Sequence, residues 1–370
     1  MTINIQMNRK VSDSDYQDIY PTSDAAKIER RQKIINYLDG DTLEEVIQDT
    51  ANQYINPFGS TWLHVNTFDT NTTCLCGVDN FTCLLYVENG TLYSVYSANN
   101  GLDWTTYSWS LTGLSLDNMV GAIAVKGTEK NTFNICVANA TSTSYYLTVD
   151  VNNSENNTIQ SFATFSGTVK GVTRTRDSFM MYGSSASIYL NAFNDTSSTR
   201  SWTRSSVSFS TATTKVLYSN KYCKPIGIVG LNQTFPTTFT NTATWSTSVV
   251  TPTGTTITDL DITGDIFLGS NGIIYDTVND KTYTAPVLSN DSWKYILTTT
   301  DGKNIFLISA QGRVARKIDT DGAITLVSDV LLGDTTESQF ILLNNQIIGA
   351  IRGNDDTQTS LFRAPLFSYK

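Results

Sequence analysis

The sequence predicts a mainly β fold, a β-propeller of about seven blades behind a small α-helical N-terminal region. Three observations carry this. From about Gly59 onward apolar residues recur with period 2, in short runs separated by turn residues. The runs group into units that begin near Phe81, Val120, Val169, Val216, Ile257, Trp293 and Phe340. Their spacing averages roughly 43 residues, which matches the repeat length of propeller blades. Six blades is the alternative count, and a sandwich or a pair of barrels is the alternative architecture.

The cleanest hairpin is Phe81–Val87, turn Glu88-Asn89-Gly90, then Thr91–Ser97. Asn-Gly supplies the two positive φ angles that a tight two-residue turn demands. Asp265–Gly269 with Ile273–Thr277 reads as a second hairpin, and Asn304–Ser309 with Arg313–Ile318 as a third. Trp202, Trp245 and Trp293 stand nearly one unit apart, and Trp62 precedes Trp104 by a similar interval. A large ring recurring once per unit fits packing between neighbouring blades. In a propeller the first strand after Gly59 is expected to close the ring beside the C-terminal hairpin, covering two exposed edges at once.

Residues 1–58 have a different character and form the first of two predicted regions, the second being 59–370. Ser23-Asp24 reads as the cap of a helix over 24–38, with Ala25, Ile28, Ile35 and Leu38 on one face and Gly40 at its end. Thr42-Leu43-Glu44-Glu45 has the form of a capping box opening a second short helix, which Pro57 and Gly59 terminate. Two short amphipathic helices do not bury a core by themselves, so their apolar faces need a partner.

The composition narrows the function. Of 370 residues only 16% are charged, and Ser, Thr and Asn fill the polar positions. The net charge of −9 argues against a large nucleic-acid footprint, which needs clustered Lys and Arg. No run of 18 apolar residues is present, so no membrane insertion is expected. The five cysteines are odd in number and contain no Cys-x-x-Cys pair, which points to buried free thiols rather than a disulfide scaffold or zinc ribbon.

Residues suited to chemistry are few. His64 is the one histidine, which leaves no basis for a multi-histidine metal site or a histidine triad. In Thr61–Val65 it alternates with Trp62, as on one face of a strand, and a structural role is expected. The acidic stretches Asp259–Asp265 and Asn354-Asp355-Asp356 lack the calcium-loop spacing and read as solvated turns. No phosphate-binding or dinucleotide fingerprint is present. No catalytic residue, metal or cofactor is therefore assigned.

Two stretches carry resemblances. Ser97-Ala98-Asn99-Asn100-Gly101-Leu102-Asp103-Trp104 resembles the Asp-box of sialidase-like propellers, with Asn99 in place of the aspartate. In that family the box is a structural turn between outer blade strands, remote from the active site. Asp15–Thr22, with Tyr16, Ile19, Tyr20 and Pro21, resembles an N-terminal phrase of tailed-bacteriophage baseplate and fibre proteins.

The second resemblance implies a virion protein. Its residues 1–58 would attach to other virion subunits, and its propeller would meet a host-surface glycan or protein, or further tail subunits. Oligomeric assembly within a particle is expected. Trp104, Tyr107 and Trp109 are the candidate groups for stacking on carbohydrate, with blade packing as the competing role. The alternative function is a glycan-cleaving, sialidase-like enzyme, which would need an arginine cluster for the substrate carboxylate; Arg174, Arg176, Arg200, Arg313 and Arg352 are the arginines that could converge. A cellular propeller scaffold is the third reading.

Overall fold

The computed structural model describes residues 62–365 apart from short stretches, the widest being 111–117, 194–202, 237–244 and 247–255. The predicted helices and the Tyr16–Pro21 segment lie outside the described residues, as do Arg200, Trp202 and Cys223.

Seven four-stranded antiparallel sheets follow one another along the chain. The strand β1 (Leu63–Phe68) comes first and is set aside for the last blade. Blade one is β2 (Thr73–Val78), β3 (Phe81–Glu88), β4 (Thr91–Ser97) and β5 (Thr105–Trp109). Blade two is β6 (Met119–Lys126), β7 (Thr132–Asn139), β8 (Thr143–Asp150) and β9 (Thr158–Ala163). Blade three is β10 (Val169–Arg174), β11 (Ser178–Gly183), β12 (Ser187–Ala192) and β13 (Thr203–Ser208). Blade four is β14 (Thr213–Ser219), β15 (Lys224–Val229), β16 (Asn232–Pro236) and β17 (Trp245–Ser246).

Blade five is β18 (Ile257–Leu260), β19 (Ile266–Gly269), β20 (Ile273–Asp276) and β21 (Lys281–Thr284). Blade six is β22 (Trp293–Thr298), β23 (Ile305–Ser309), β24 (Val314–Lys317) and β25 (Thr325–Ser328). Blade seven is β26 (Gln339–Leu342), β27 (Gln346–Arg352) and β28 (Thr359–Pro365), completed by β1. The first strand of the ring thus pairs antiparallel with the last, Leu63 opposite Arg363 and Phe68 opposite Thr359. The architecture is a seven-bladed β-propeller, and each sequence unit corresponds to one blade.

The position of a strand within its blade explains its composition. Second strands are buried on both faces, and β3, β7, β11, β19, β23 and β27 accordingly read as nearly unbroken apolar runs. Fourth strands lie at the rim: β5, β21 and β25 are mostly exposed and rich in Thr and Ser. The period-2 pattern of the sequence is a mixture of these two kinds of strand.

The core is divided among the seams between blades. Each of seven buried apolar clusters joins residues of two successive blades. In the first seam Phe81 stacks on Phe133 of the next blade, ring centroids 4.1 Å apart and planes 8° from parallel. In the seam of blades six and seven, Trp62 packs on Phe340 and its Nε1 donates to the Gly312 carbonyl at 3.1 Å. Trp293 is likewise buried in the seam of blades five and six. The once-per-blade tryptophan therefore packs between blades at both of these positions.

Five first strands carry a register shift beside their second residue, at Val120, Lys170, Thr214, Thr258 and Lys294. A bulge sharpens strand twist, and its repetition at one place gives neighbouring blades the same bend. At the Glu88-Asn89-Gly90 turn both Asn89 (φ 51°) and Gly90 (φ 74°) are left-handed, as the sequence requires.

The four described cysteines form no disulfide and are buried. Burial pushes the Cys74 thiol up to about 12, which keeps it protonated and unreactive. His64 is exposed although Trp62 is buried, so the two do not share an environment. A bulge between His64 and Asn66 breaks the simple alternation. His64 Nε2 and Thr67 Oγ1 are 2.9 Å apart, and the ring meets Phe362 edge-on.

Candidate functional site

Antiparallel order puts the turns between first and second strands, and those between third and fourth strands, at the same end of each blade. Blade one shows this directly: Asn80 Nδ2, in the first such turn, donates to the Ala98 carbonyl in the second at 2.5 Å. The Asp-box-like stretch is therefore a turn between β4 and β5 at this end. Its side chains hold it from inside. Asn99 Oδ1 accepts from Ser97 Oγ at 2.8 Å and from the Asp103 amide at 3.0 Å. Ser97 Oγ accepts from the Gly101 amide at 2.9 Å, and Trp104 Nε1 donates to the Gly101 carbonyl at 3.0 Å. Asn100 (φ 61°) and Gly101 (φ 76°) are both left-handed. At Gly101 a Cβ would stand 2.8 Å from Ile348 Cδ1, so the glycine answers to space as well as to φ.

The three aromatic candidates are placed differently from one another. Trp109 is 3% exposed, lies in the first seam and donates through Nε1 to Ser94 Oγ at 3.0 Å. Its ring has no open face for a sugar, so Trp109 packs the seam and is not a carbohydrate-stacking residue. Tyr107 is half-buried edge-on against Trp109, centroids 4.9 Å apart. Trp104 is half-buried against the seam of blades seven and one. Alternation along β5 puts Tyr107 and Trp109 on one face, and seam packing has claimed that face.

The same end of the ring holds a polar network around blade five. Asp261 is buried and accepts from the amides of Thr263, Asp265 and Ile266 and from the hydroxyls of Thr263 and Thr298. Burial raises its carboxyl above the usual value, against the pull of these hydrogen bonds. Asp265, also buried, accepts from Ser219 Oγ and from the Lys221 amide of blade four. The acidic stretch 259–265 is thus not the solvated turn its charge suggests: Asp261 and Asp265 are buried and tie adjacent blades through hydrogen bonds.

Beside this network lies a cleft of about 200 Å³, lined by Arg174, Thr175, Arg176, Phe193, Tyr218, Ile262 and Thr263. These come from blades three, four and five. Arg174 ends β10 and is half-buried; Arg176 is exposed in the turn that follows. Burial lowers the Arg174 pKa, and the Asp79 carboxylate partly offsets it. Ile262 is 42% exposed at the rim. Thr175 Oγ1 already donates toward Asp177, and Thr263 Oγ1 donates to Asp261. The arginines are the cationic donors of the cleft.

Among the described residues the wider arginine set does not converge. Arg313 follows β23 and Arg352 ends β27, at turns between second and third strands and so at the other end of their blades. Arg313 pairs with Asp291 (2.8 Å) and Asp329 (2.5 Å), and Arg352 with Glu337 (3.6 Å). Sequence reasoning found Arg174 and Arg176 but not Phe193, Tyr218 or Ile262. No local pattern joins residues contributed by three blades.

Among the described residues no helix is long and apolar enough to cross a membrane. No family model and no curated protein matches the chain. Among solved structures, a chain of one described as the crystal structure of a mitotic checkpoint complex is similar in fold. The TM-score is 0.52 at 9% identity, covering 83% of this chain and 92% of that one. At that identity the likeness speaks for the fold alone.

Proposed function

We propose that this chain is a structural and interaction protein of a tailed-phage virion. In this reading residues 1–58 attach it to the particle, and the propeller presents its turns to a host receptor or to other tail subunits. One observation carries the division of labour: all seven blades are built from Leu63–Pro365. Every strand of the described sheets lies within Leu63–Pro365 and the ring closes on β1, which leaves residues 1–58 available for another task. The likeness of Tyr16, Ile19, Tyr20 and Pro21 to a phage attachment phrase supports the virion assignment. So does the low-charge surface of Ser, Thr and Asn.

The test is complementation of a gene-deleted phage with the full chain or with a chain lacking residues 1–58. The truncated chain is expected to fold, with an unchanged far-ultraviolet spectrum and a cooperative melt, yet to be missing from purified particles. Normal incorporation of the truncated chain would overturn the attachment role.

A further inference from the structure

We propose that the cleft between blades three, four and five binds a single acidic sugar residue, its carboxylate on Arg174 and Arg176 and its ring against Phe193, Tyr218 and Ile262. This stands whether or not residues 1–58 attach to a virion.

Charge is the first argument. The chain has a net charge of −9, and Arg313 and Arg352 are both ion-paired. Arg174 and Arg176 share one cleft and make no ion pair with the described residues. Burial works against the Arg174 guanidinium. A ligand carboxylate would restore the charge-assisted hydrogen bonds that a planar guanidinium is shaped to make.

Shape and wall chemistry are the second. The cleft, about 200 Å³, is smaller than the roughly 300–1,000 Å³ that encloses a drug-sized ligand, so it takes one ring or one group. Two aromatic residues and an exposed isoleucine line it beside the cations. The apolar C–H face of a pyranose would cover that wall while its carboxylate met the arginines. An Asp or Glu side chain of a peptide would satisfy the arginines and leave the wall bare.

Location is the third. The cleft opens at the end of the ring that carries the Ser97–Trp104 turn, which in the sialidase-like family is remote from the active site. The proposed site is thus a binding site separate from that family's catalytic position.

The full-length protein would be titrated by calorimetry with glucuronate, glucose, acetate and a short Glu-containing peptide, at physiological salt. Glucuronate is expected to bind with a Kd on the order of 1 mM, and each of the other three about tenfold or more weaker. Arg176→Gln and Arg174→Gln should each weaken glucuronate about tenfold, with Arg174→Lys retaining part of the affinity. Arg176 is exposed, so its variant reads the site even if the Arg174 variant fails to fold. Glucose binding as tightly as glucuronate, or glucuronate binding unchanged in Arg176→Gln, would overturn the arginine role. Acetate or the peptide matching glucuronate would overturn the sugar.

Discussion

Lys215 Nζ on the first strand of blade four lies 2.6 Å from Asp259 Oδ1 on the first strand of blade five. The other oxygen of Asp259 accepts the Ile296 amide of blade six at 3.0 Å. One carboxylate therefore joins three consecutive blades. Gln339 ties two blades, seven and one, its carboxamide accepting the Leu75 amide at 2.6 Å and donating to the Thr73 carbonyl at 3.1 Å. First strands are sheet edges, and such side chains satisfy backbone groups that the next blade leaves open.

Asp259→Ala should cost about 2–3 kcal/mol, because it strips an ammonium and a backbone amide of their acceptor. The Lys215–Asp259 coupling in a double-mutant cycle should be smaller, about 1 kcal/mol, since the lysine side chain is 39% exposed. Burial alone would lower the Lys215 pKa. The Asp259 carboxylate, helped by Tyr182 and Asp261, outweighs it and holds the pKa above the usual lysine value. A group raised on folding contributes fully below its unfolded pKa, about 10.4 for lysine, and loses that contribution as pH climbs through the folded value. Urea melts of wild type and Lys215→Met should therefore differ by a constant amount through neutral pH and converge above roughly pH 10.5.

Asp261 acts with the same sign in the acidic range. Its carboxyl is raised, so the folded chain binds that proton more tightly than the unfolded chain does. The stabilising share of this proton is complete below the unfolded pKa of about 3.9 and fades as pH rises through the folded value. Wild-type stability relative to Asp261→Asn should accordingly decline from about pH 4 upward, measured by denaturant titration across the acidic range. Asp261→Ala, which orphans five buried donors, should cost about 3–5 kcal/mol near pH 4 and less as pH rises through the folded value.

The replacement of aspartate by Asn99 has a local cause. Asn99 Nδ2 donates to Asp103 Oδ2 at 2.7 Å. An aspartate at 99 would set two carboxylates against each other. Asn99→Asp is expected to lower stability by about 1 kcal/mol at neutral pH. Asp103→Asn in the same chain should restore it. A melt showing no loss in Asn99→Asp would remove this explanation.

Truncation separates the ring from its leader. Removing residues 1–58 should leave the melt of the propeller intact, whereas removing residues 1–68 strips β1 from β28 and takes Trp62 and Phe68 out of two seams. The longer deletion should abolish the cooperative transition and promote self-association through the bared edge of β28. Scanning calorimetry and sedimentation would read both outcomes.

Much of this was legible in advance, for identifiable reasons. Second strands such as Phe81–Glu88 and Ile305–Ser309 announce themselves because burial on both faces demands unbroken apolar runs. Asn89-Gly90 fixes a turn through φ alone. Ring closure by β1 followed from the cost of open edges. The arginine cleft was not legible: Arg174, Tyr218 and Ile262 are brought together by ring geometry, which leaves no spacing to read. Trp109 misled for a related reason, since a tryptophan near a turn looks available until its seam is seen.

The pairing of Leu63 with Arg363 also sets an order of events. Six blades are local, each made within a few dozen consecutive residues, and these form quickly because little chain entropy is lost in joining near neighbours. Blade seven needs residues from the two ends of the ring, the pairing most distant in sequence among the described strands. Until it forms, every other blade sits in an open, curling stack with a bare edge at each end. The rate of folding should therefore be governed by that one encounter, and during synthesis β1 must wait for nearly the entire ring to be made before it finds its partner.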